Sequence, residues 1–205
     1  MRGKLGEQWN LDLSHTYGQN TFDFTITNSV NYTQFANNPG NTQTEFDAGG
    51  LEFTQNTSNL DLSRKFDVLE GLNLAFGGEY RSENFGIRAG EEASYRNYDT
   101  GSGAASGAQV FAGFFPANSG DNSRNSVAGY LDLEQDFTKN WLVTAAVRYE
   151  NYSDFGSTFN YKVATRYKLG NSLSLRGSVS TGFRAPSMQQ RFYAKTNTLF
   201  ITGPN

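Results

Sequence analysis

Apolar and polar residues alternate with period two along most of this chain, as strands with one apolar and one polar face require. Between Trp9 and Tyr17 the odd positions hold Trp9, Leu11, Leu13, His15 and Tyr17, and the even ones Asn10, Asp12, Ser14 and Thr16. Gly18-Gln19-Asn20 then reads as a turn. Phe22, Phe24, Ile26, Val30 and Tyr32 follow against Asp23, Thr25, Thr27, Ser29 and Asn31, with Asn28 alone breaking the apolar row. Two such runs joined by a Gly/Asn turn predict a hairpin. From Phe46 to Phe66 the apolar parity changes: Leu51 and Phe53 are odd, Leu60, Leu62 and Phe66 even. One long strand with a bulge near Asn56 to Asn59 accounts for the change. Leu72, Leu74, Phe76 and Tyr80 start the next run, and four clear runs follow over 127–134, 141–150, 159–169 and 173–184. The pattern predicts an all-β fold, an antiparallel up-and-down meander of about eight strands.

Connection lengths add independent information. Every second connection is short, at 18–20, 67–71, 138–140 and 170–172. The alternate ones fall at 33–45, 92–124, 154–157 and from 185 to 205, and three of those four are long. An antiparallel meander places alternate connections on opposite rims. Short turns on one rim and long loops on the other are the build of an outer-membrane β-barrel, whereas a soluble sandwich has no reason to sort its loops. Lys and Arg in the clear strands fall opposite the Leu/Val/Phe row, and a charge on the lipid face costs about 2–4 kcal/mol at mid-membrane. Rings gather near the turns, Phe137 and Trp141 at one end and Tyr149, Tyr152, Phe155, Phe159 and Tyr161 at the other, as interfacial girdles do. The expectation is a transmembrane β-barrel in contact with outer-membrane lipid, in a Gram-negative bacterium.

Composition sharpens this picture at a few points. Mean hydropathy is −0.59 although aromatic residues make up 15% of the chain, a pairing that suits strands with one wet face. No apolar run approaches the ~18 residues a spanning helix needs. Met1-Arg2-Gly3-Lys4 leads into Leu5-Gly6 without an apolar leader, so the natural N-terminus is expected to lie elsewhere. A net charge of −3 is too mild to imply a nucleic-acid partner, and the absence of cysteine excludes disulfides and thiolate metal sites. His15 is the only histidine; it sits in the apolar row, where a general base would not meet substrate. Gly101-Ser102-Gly103-Ala104-Ala105-Ser106-Gly107 lacks the Gly-Lys-Ser/Thr ending of a phosphate loop. No catalytic, cofactor-binding or metal-binding residue is expected. Asn31, Asn56 and Asn151 stand in Asn-x-Ser/Thr triplets that so Asn- and Thr-rich a chain produces by chance.

Two residue sets remain as candidates. Glu79, Arg81, Arg148, Glu150, Lys162, Arg166 and Arg176 share the polar face and are read as lumen-lining. The ordinary reading is a wall of cross-strand ion pairs keeping the interior polar; the functional one is a lining that guides substrate or holds an inner domain. In the loop at 92–124, Tyr95, Tyr98, Phe111, Phe114 and Phe115 are the candidate ligand contacts, because rings exposed in a long loop need a reason.

Several segments resemble TonB-dependent receptors. Ser180-Thr181-Gly182-Phe183-Arg184-Ala185-Pro186-Ser187 is similar to that family's strand-to-loop signature, in which Gly182, Phe183, Arg184, Ala185 and Pro186 are the matching residues. Ala146-Val147-Arg148-Tyr149-Glu150-Asn151-Tyr152-Ser153-Asp154-Phe155-Gly156 and Leu74-Ala75-Phe76-Gly77-Gly78-Glu79-Tyr80-Arg81 resemble two further barrel strands, in the family's order. The resemblance implies active uptake of a scarce siderophore-, vitamin- or glycan-like ligand. It implies a plug domain and further barrel strands as partners, with TonB engaged only through the plug. This chain has neither plug nor TonB box, and it ends at Thr202-Gly203-Pro204-Asn205 rather than in a closing strand, so residues 1–205 are expected to be an internal piece of the barrel domain. No histidine follows Pro186 and Asn197-Thr198-Leu199 departs from the haem receptors' pattern, which leaves haem uptake unsupported. The alternatives are a small eight-stranded barrel with a structural or adhesive role and, third, a barrel phospholipase.

Overall fold

The computed structural model describes residues 1–6, 8–40, 43–101, 103–170 and 172–196. Ser102, the middle of the turn at 170–172 and the expected tail from Asn197 to Asn205 lie outside these. Eight strands form one sheet in sequence order: β1 (Arg2–Leu5), β2 (Trp9–Ile26), β3 (Phe46–Phe66), β4 (Leu72–Arg88), β5 (Gly120–Thr138), β6 (Trp141–Tyr152), β7 (Gly156–Leu169) and β8 (Leu173–Ser180). Among the described residues three short α-helices and one 3-10 turn at Pro116–Asn118 lie between or after them: α1 (Tyr32–Asn37), α2 (Glu92–Tyr95) and α3 (Met188–Phe192). No helix among the described residues is long and apolar enough to cross a membrane. The strands, by contrast, reach 17 to 21 residues in β2 to β5, well beyond the ~9–11 that a tilted strand needs to span a bilayer.

The all-β meander of eight strands is as expected, but its first hairpin is not. Gly18-Gln19-Asn20 is no turn; it lies inside β2, and the hairpin is made by β1 with β2, Leu5 facing Trp9 across the turn. Polar residues at 18–20 fit a strand that continues past the bilayer, where its outward face meets water. The count of eight and the alternation of short and long connections both survive, with 6–8 replacing 18–20. The far end of β2 falls at the residue that interrupts the apolar row: Asn28 adopts φ 53°, a conformation Asn tolerates better than most residues, and Val30 and Tyr32 leave the sheet.

The parity change in β3 also has a different cause. Ser58 bonds His15, Asn59 bonds Ser14 and Gly50 abuts Asp23. Partner numbers in these pairs keep a constant sum, so no residue is inserted at Asn56 to Asn59. The irregularity sits at Gly49, where φ is +92° and a Cβ would collide with the Arg88 carbonyl. Leu51 and Phe53 face a buried apolar cluster, whereas Leu60 faces outward and is exposed. The apolar residues change faces; the backbone does not slip.

Two compact units divide the chain, with β2 to β5 each contributing to both. The first comprises residues 1–18, 55–83 and 124–186. Its β5, β6, β7 and β8 are paired antiparallel in the expected order, with one register shift between Asp136 and Thr138 that leaves Phe137 as a bulge. That bulge brings Phe137 onto Trp141, the rings stacked at 4.8 Å. One face carries Val147, Val163, Leu173, Leu175 and Val179, all more than a third exposed. A contiguous apolar face of this size calls for lipid or a partner. The second unit comprises 19–54, 84–123 and the chain from Ser187. It holds both buried apolar clusters, Phe85, Ile87, Phe114 and Met188 in one and Phe46, Ala93 and Ala108 in the other.

Candidate functional site

Even-numbered residues of β5 to β8 share the polar face of the first unit, since the registers set Tyr130 opposite Arg148, Arg148 opposite Asn160, and Arg166 between Leu142 and Arg176. The seven charged candidates on it behave as two groups. Glu79, Arg81, Arg148 and Glu150 form a continuous network: Arg81 lies 2.8 Å from Glu79, and Arg148 lies 3.4 Å from Glu79 and 2.6 Å from Glu150. The Tyr152 hydroxyl donates to Glu150 at 3.0 Å. Two acids and two bases leave this group neutral. Lys162, Arg166 and Arg176 instead line an open cavity of about 400 Å³ with Leu142, Thr144, Ala164 and Ser178.

Sequence reading missed the most buried pair on this face. Arg124 donates from Nε and Nη2 to one oxygen of Glu83, at 2.9 and 2.6 Å, with both side chains under a tenth exposed. Its Nη1 donates to the Pro186 carbonyl at 2.8 Å and stands 3.9 Å from Asp154. The sequence pattern puts Arg124 in the loop at 92–124, yet β5 starts at Gly120. The signal was the alternation itself: Glu83 continues the odd row of Glu79 and Arg81, and Arg124 the even row of Ser126, Ala128 and Tyr130. Tyr130 and Asp61 form a second unforeseen link, 2.5 Å apart.

Arg124 explains how the segment around Phe183-Arg184-Ala185-Pro186 is held. β8 ends at Ser180, but Thr181 still donates its N–H to the Tyr161 carbonyl and accepts from the Tyr161 N–H through its hydroxyl. The Phe183 ring then meets Phe155 at 5.6 Å and Tyr152 at 6.4 Å, themselves stacked at 4.4 Å. Gly182 and Arg184 are exposed and Ala185 half-buried. Ser187 ends the segment as N-cap of α3 in a reciprocal capping box with Gln190.

In the second unit the long loops are braced rather than free. Asn31 caps α1, its Oδ1 accepting from the Gln34 N–H and the Thr33 hydroxyl while its Nδ2 donates to the Ala93 and Arg96 carbonyls. The Asn31-Tyr32-Thr33 triplet therefore has a structural use. Ser94, fully buried, receives the Ala108 and Gly113 N–H groups on its carbonyl. Of the ring candidates, Phe114 is corrected: at 1% exposure it belongs to the core, packed by Phe24, Phe111 and Tyr193, so the premise of an exposed ring fails there. Phe111 is half-buried and stacked on Phe24, while Tyr95 and Phe115 pack against each other at 5.2 Å. Tyr98 is half-buried, and burial raises its phenol above the usual value. Lys195, unremarked in the sequence, places its ammonium 2.9 Å from the Phe111 ring centre, where burial lowers its pKa. Arg88 pairs with Asp23 and Asp47 at 2.9 and 2.7 Å.

Among the described residues no group of three His, Cys, Asp or Glu side chains is placed to hold a metal ion. His15 bonds the Ser58 hydroxyl at 2.9 Å. A siderophore receptor, PirA from Acinetobacter baumannii, has a similar solved structure, with a TM-score of 0.56 and 15% sequence identity over 90% of this chain and 24% of that one. This chain thus spans about a quarter of that receptor's length. No curated protein matches. The family described as "TonB dependent receptor-like, beta-barrel" matches residues 2–205; it is a family of outer-membrane receptors and transporters of Gram-negative bacteria, not of enzymes. The chain belongs to the TonB-dependent receptor family, within whose β-barrel its eight-stranded meander falls.

Proposed function

We propose that this chain supplies wall and outer loops to an outer-membrane receptor that actively takes up a scarce ligand in a Gram-negative bacterium. The observation that carries the reading is the two-faced sheet, with lipid-compatible apolar side chains on one side and charged networks on the other, in a chain of this family. On this reading Glu79, Arg81, Arg148, Glu150, Lys162, Arg166 and Arg176 line the interior. Tyr95, Tyr98, Phe111 and Phe115, joined by Lys195, offer rings and one cation to the ligand, with Phe114 packed against Phe111. The ligand is siderophore-like, in keeping with the solved receptor named above. A plug domain would fill the interior and pass on the pull of TonB. A closed eight-stranded structural barrel fits less well, because it would pair β1 with β8. The sheet order runs from β1 to β8 with no return among the described residues, and both strands are exposed throughout.

The test is growth and uptake. A strain lacking the protein is compared with its parent on single ferric chelates, on cobalamin and on oligosaccharides at limiting supply. Loss of growth on one source, restored by the gene and abolished by a proton uncoupler, supports the proposal. Unchanged growth on every source, together with no binding of these ligands to the purified protein, refutes it.

A further inference from the structure

We infer that Lys162, Arg166 and Arg176 form an oxyanion site on the polar wall, taking a phosphate or a pair of carboxylates. The inference rests on that face being the interior of the barrel. Arg166 and Arg176 are directly opposed across β7 and β8, and like charges so placed destabilise a sheet. Elsewhere the wall solves the same problem differently: Arg81 and Arg148 each lie within 3.4 Å of a carboxylate. No ion pair is seen for Lys162, Arg166 or Arg176 among the described residues. Arg166, like Arg81, keeps a solvent-shielded Nε with no hydrogen-bond acceptor, but Arg81 has the Glu79 carboxylate at 2.8 Å, and a guanidinium has five donors to satisfy and no neutral form to retreat to.

The surroundings suit an anion. All three cations line one cavity of about 400 Å³, and Thr144 and Ser178 line it too, both able to donate from a hydroxyl. Guanidinium forks match the paired oxygens of carboxylate and phosphate, and Lys adds a point charge. An anion seated there would relieve the Arg166–Arg176 repulsion and satisfy the stranded Nε together. The oxyanion has two possible sources, a free anion from solution or ligand, and carboxylate side chains of a polypeptide segment filling the barrel.

Two measurements on the full-length protein in detergent separate these sources. Inorganic phosphate is titrated calorimetrically into the wild type, Arg166→Gln, Arg176→Gln and a turn control, Lys139→Gln. A free-anion site shows saturable binding that either arginine variant weakens about tenfold, the worth of one charge-assisted hydrogen bond, and that Lys139→Gln leaves unchanged. In parallel, a water-soluble carbodiimide is applied to the wild type and amide links are mapped by mass spectrometry. A cross-link from Lys162 to an Asp or Glu outside β1–β8, suppressed at high salt, identifies protein carboxylates as the occupant. Absence of both phosphate binding and a Lys162 cross-link overturns the inference. The cross-link needs no variant, so misfolding of an arginine variant leaves the question decidable. Neither readout involves transport, so failure of the uptake proposal is separately visible.

Discussion

Replacing Arg124 by Met gives the sharpest test of how the chain after β8 is anchored. Arg124 and Glu83 have side chains 4% and 9% exposed, and one guanidinium satisfies both Glu83 and the Pro186 carbonyl. Arg124→Met leaves Glu83 buried without its cation, a change that costs about 3–5 kcal/mol in such settings. It also removes the Arg124 hydrogen bond from the Pro186 carbonyl. The Glu83→Gln/Arg124→Met double variant removes the buried charge as well, so it should recover about 2 kcal/mol or more relative to the single variant. Arg2→Met supplies the exposed control: Arg2 pairs with Asp12 at 2.6 Å but is 89% exposed, and such pairs are worth about 0–1 kcal/mol. The assay is guanidinium unfolding of the protein folded into lipid vesicles. A second readout is trypsin cleavage after Arg184, which is exposed and followed by Ala185; it should accelerate in Arg124→Met as residues 182–186 lose their anchor. The reasoning is refuted if Arg124→Met costs no more than Arg2→Met, or if the double variant is no more stable than the single.

Two further outcomes follow from the second unit. Gly113→Ala would drive a Cβ into Ser94 Oγ and within 2.9 Å of Ser94 Cβ and 3.2 Å of Ala48 Cα; overpacking of this kind costs about 1–3 kcal/mol, and adding Ser94→Gly should return much of it, read by hydrogen exchange at Gly107 and Ala108. Lys195 is a base whose pKa burial lowers below the usual 10.5, so the unfolded chain holds the extra proton between the folded value and 10.5. Stability of the segment around α3 should therefore rise with pH through that window, and a carbon-13-labelled Lys195 should titrate below the ordinary lysine value; a midpoint at or above 10.5 contradicts the burial.

What the sequence made legible follows the physics that acts on each residue. Period-two alternation and loop asymmetry report local geometry and the bilayer, and both are written residue by residue, so the eight-strand meander could be read directly. The clear strands β6 and β7 needed only that rule. The false turn at 18–20 arose because Gly and Asn carry the same signal in a turn and in a strand that has left the membrane; the bilayer stops enforcing apolar side chains there, and the alternation fades. Glu83 and Arg124 sit just beyond the clearest rows, where the alternation of Glu79 with Arg81 and of Ser126 with Ala128 still reaches them. The bulge misplaced at Asn56 to Asn59 came from treating apolar as synonymous with outward. That equation holds opposite lipid, but Leu51 and Phe53 face an apolar core built by residues as distant as Phe114 and Met188, and no local pattern encodes where a loop some sixty residues away will pack. Phe114 fails for the same reason, a loop residue buried by tertiary contacts. The charged wall shows the limit from the other side. Alternation groups all seven candidates on the polar rows, yet it could not foresee that Glu79, Arg81, Arg148 and Glu150 pair with one another while Lys162, Arg166 and Arg176 do not, because that division depends on register. A shift of two residues between β7 and β8 would keep every side chain on its face and separate Arg166 from Arg176. The face is a property of sequence; the unbalanced charge on it is a property of the pairing.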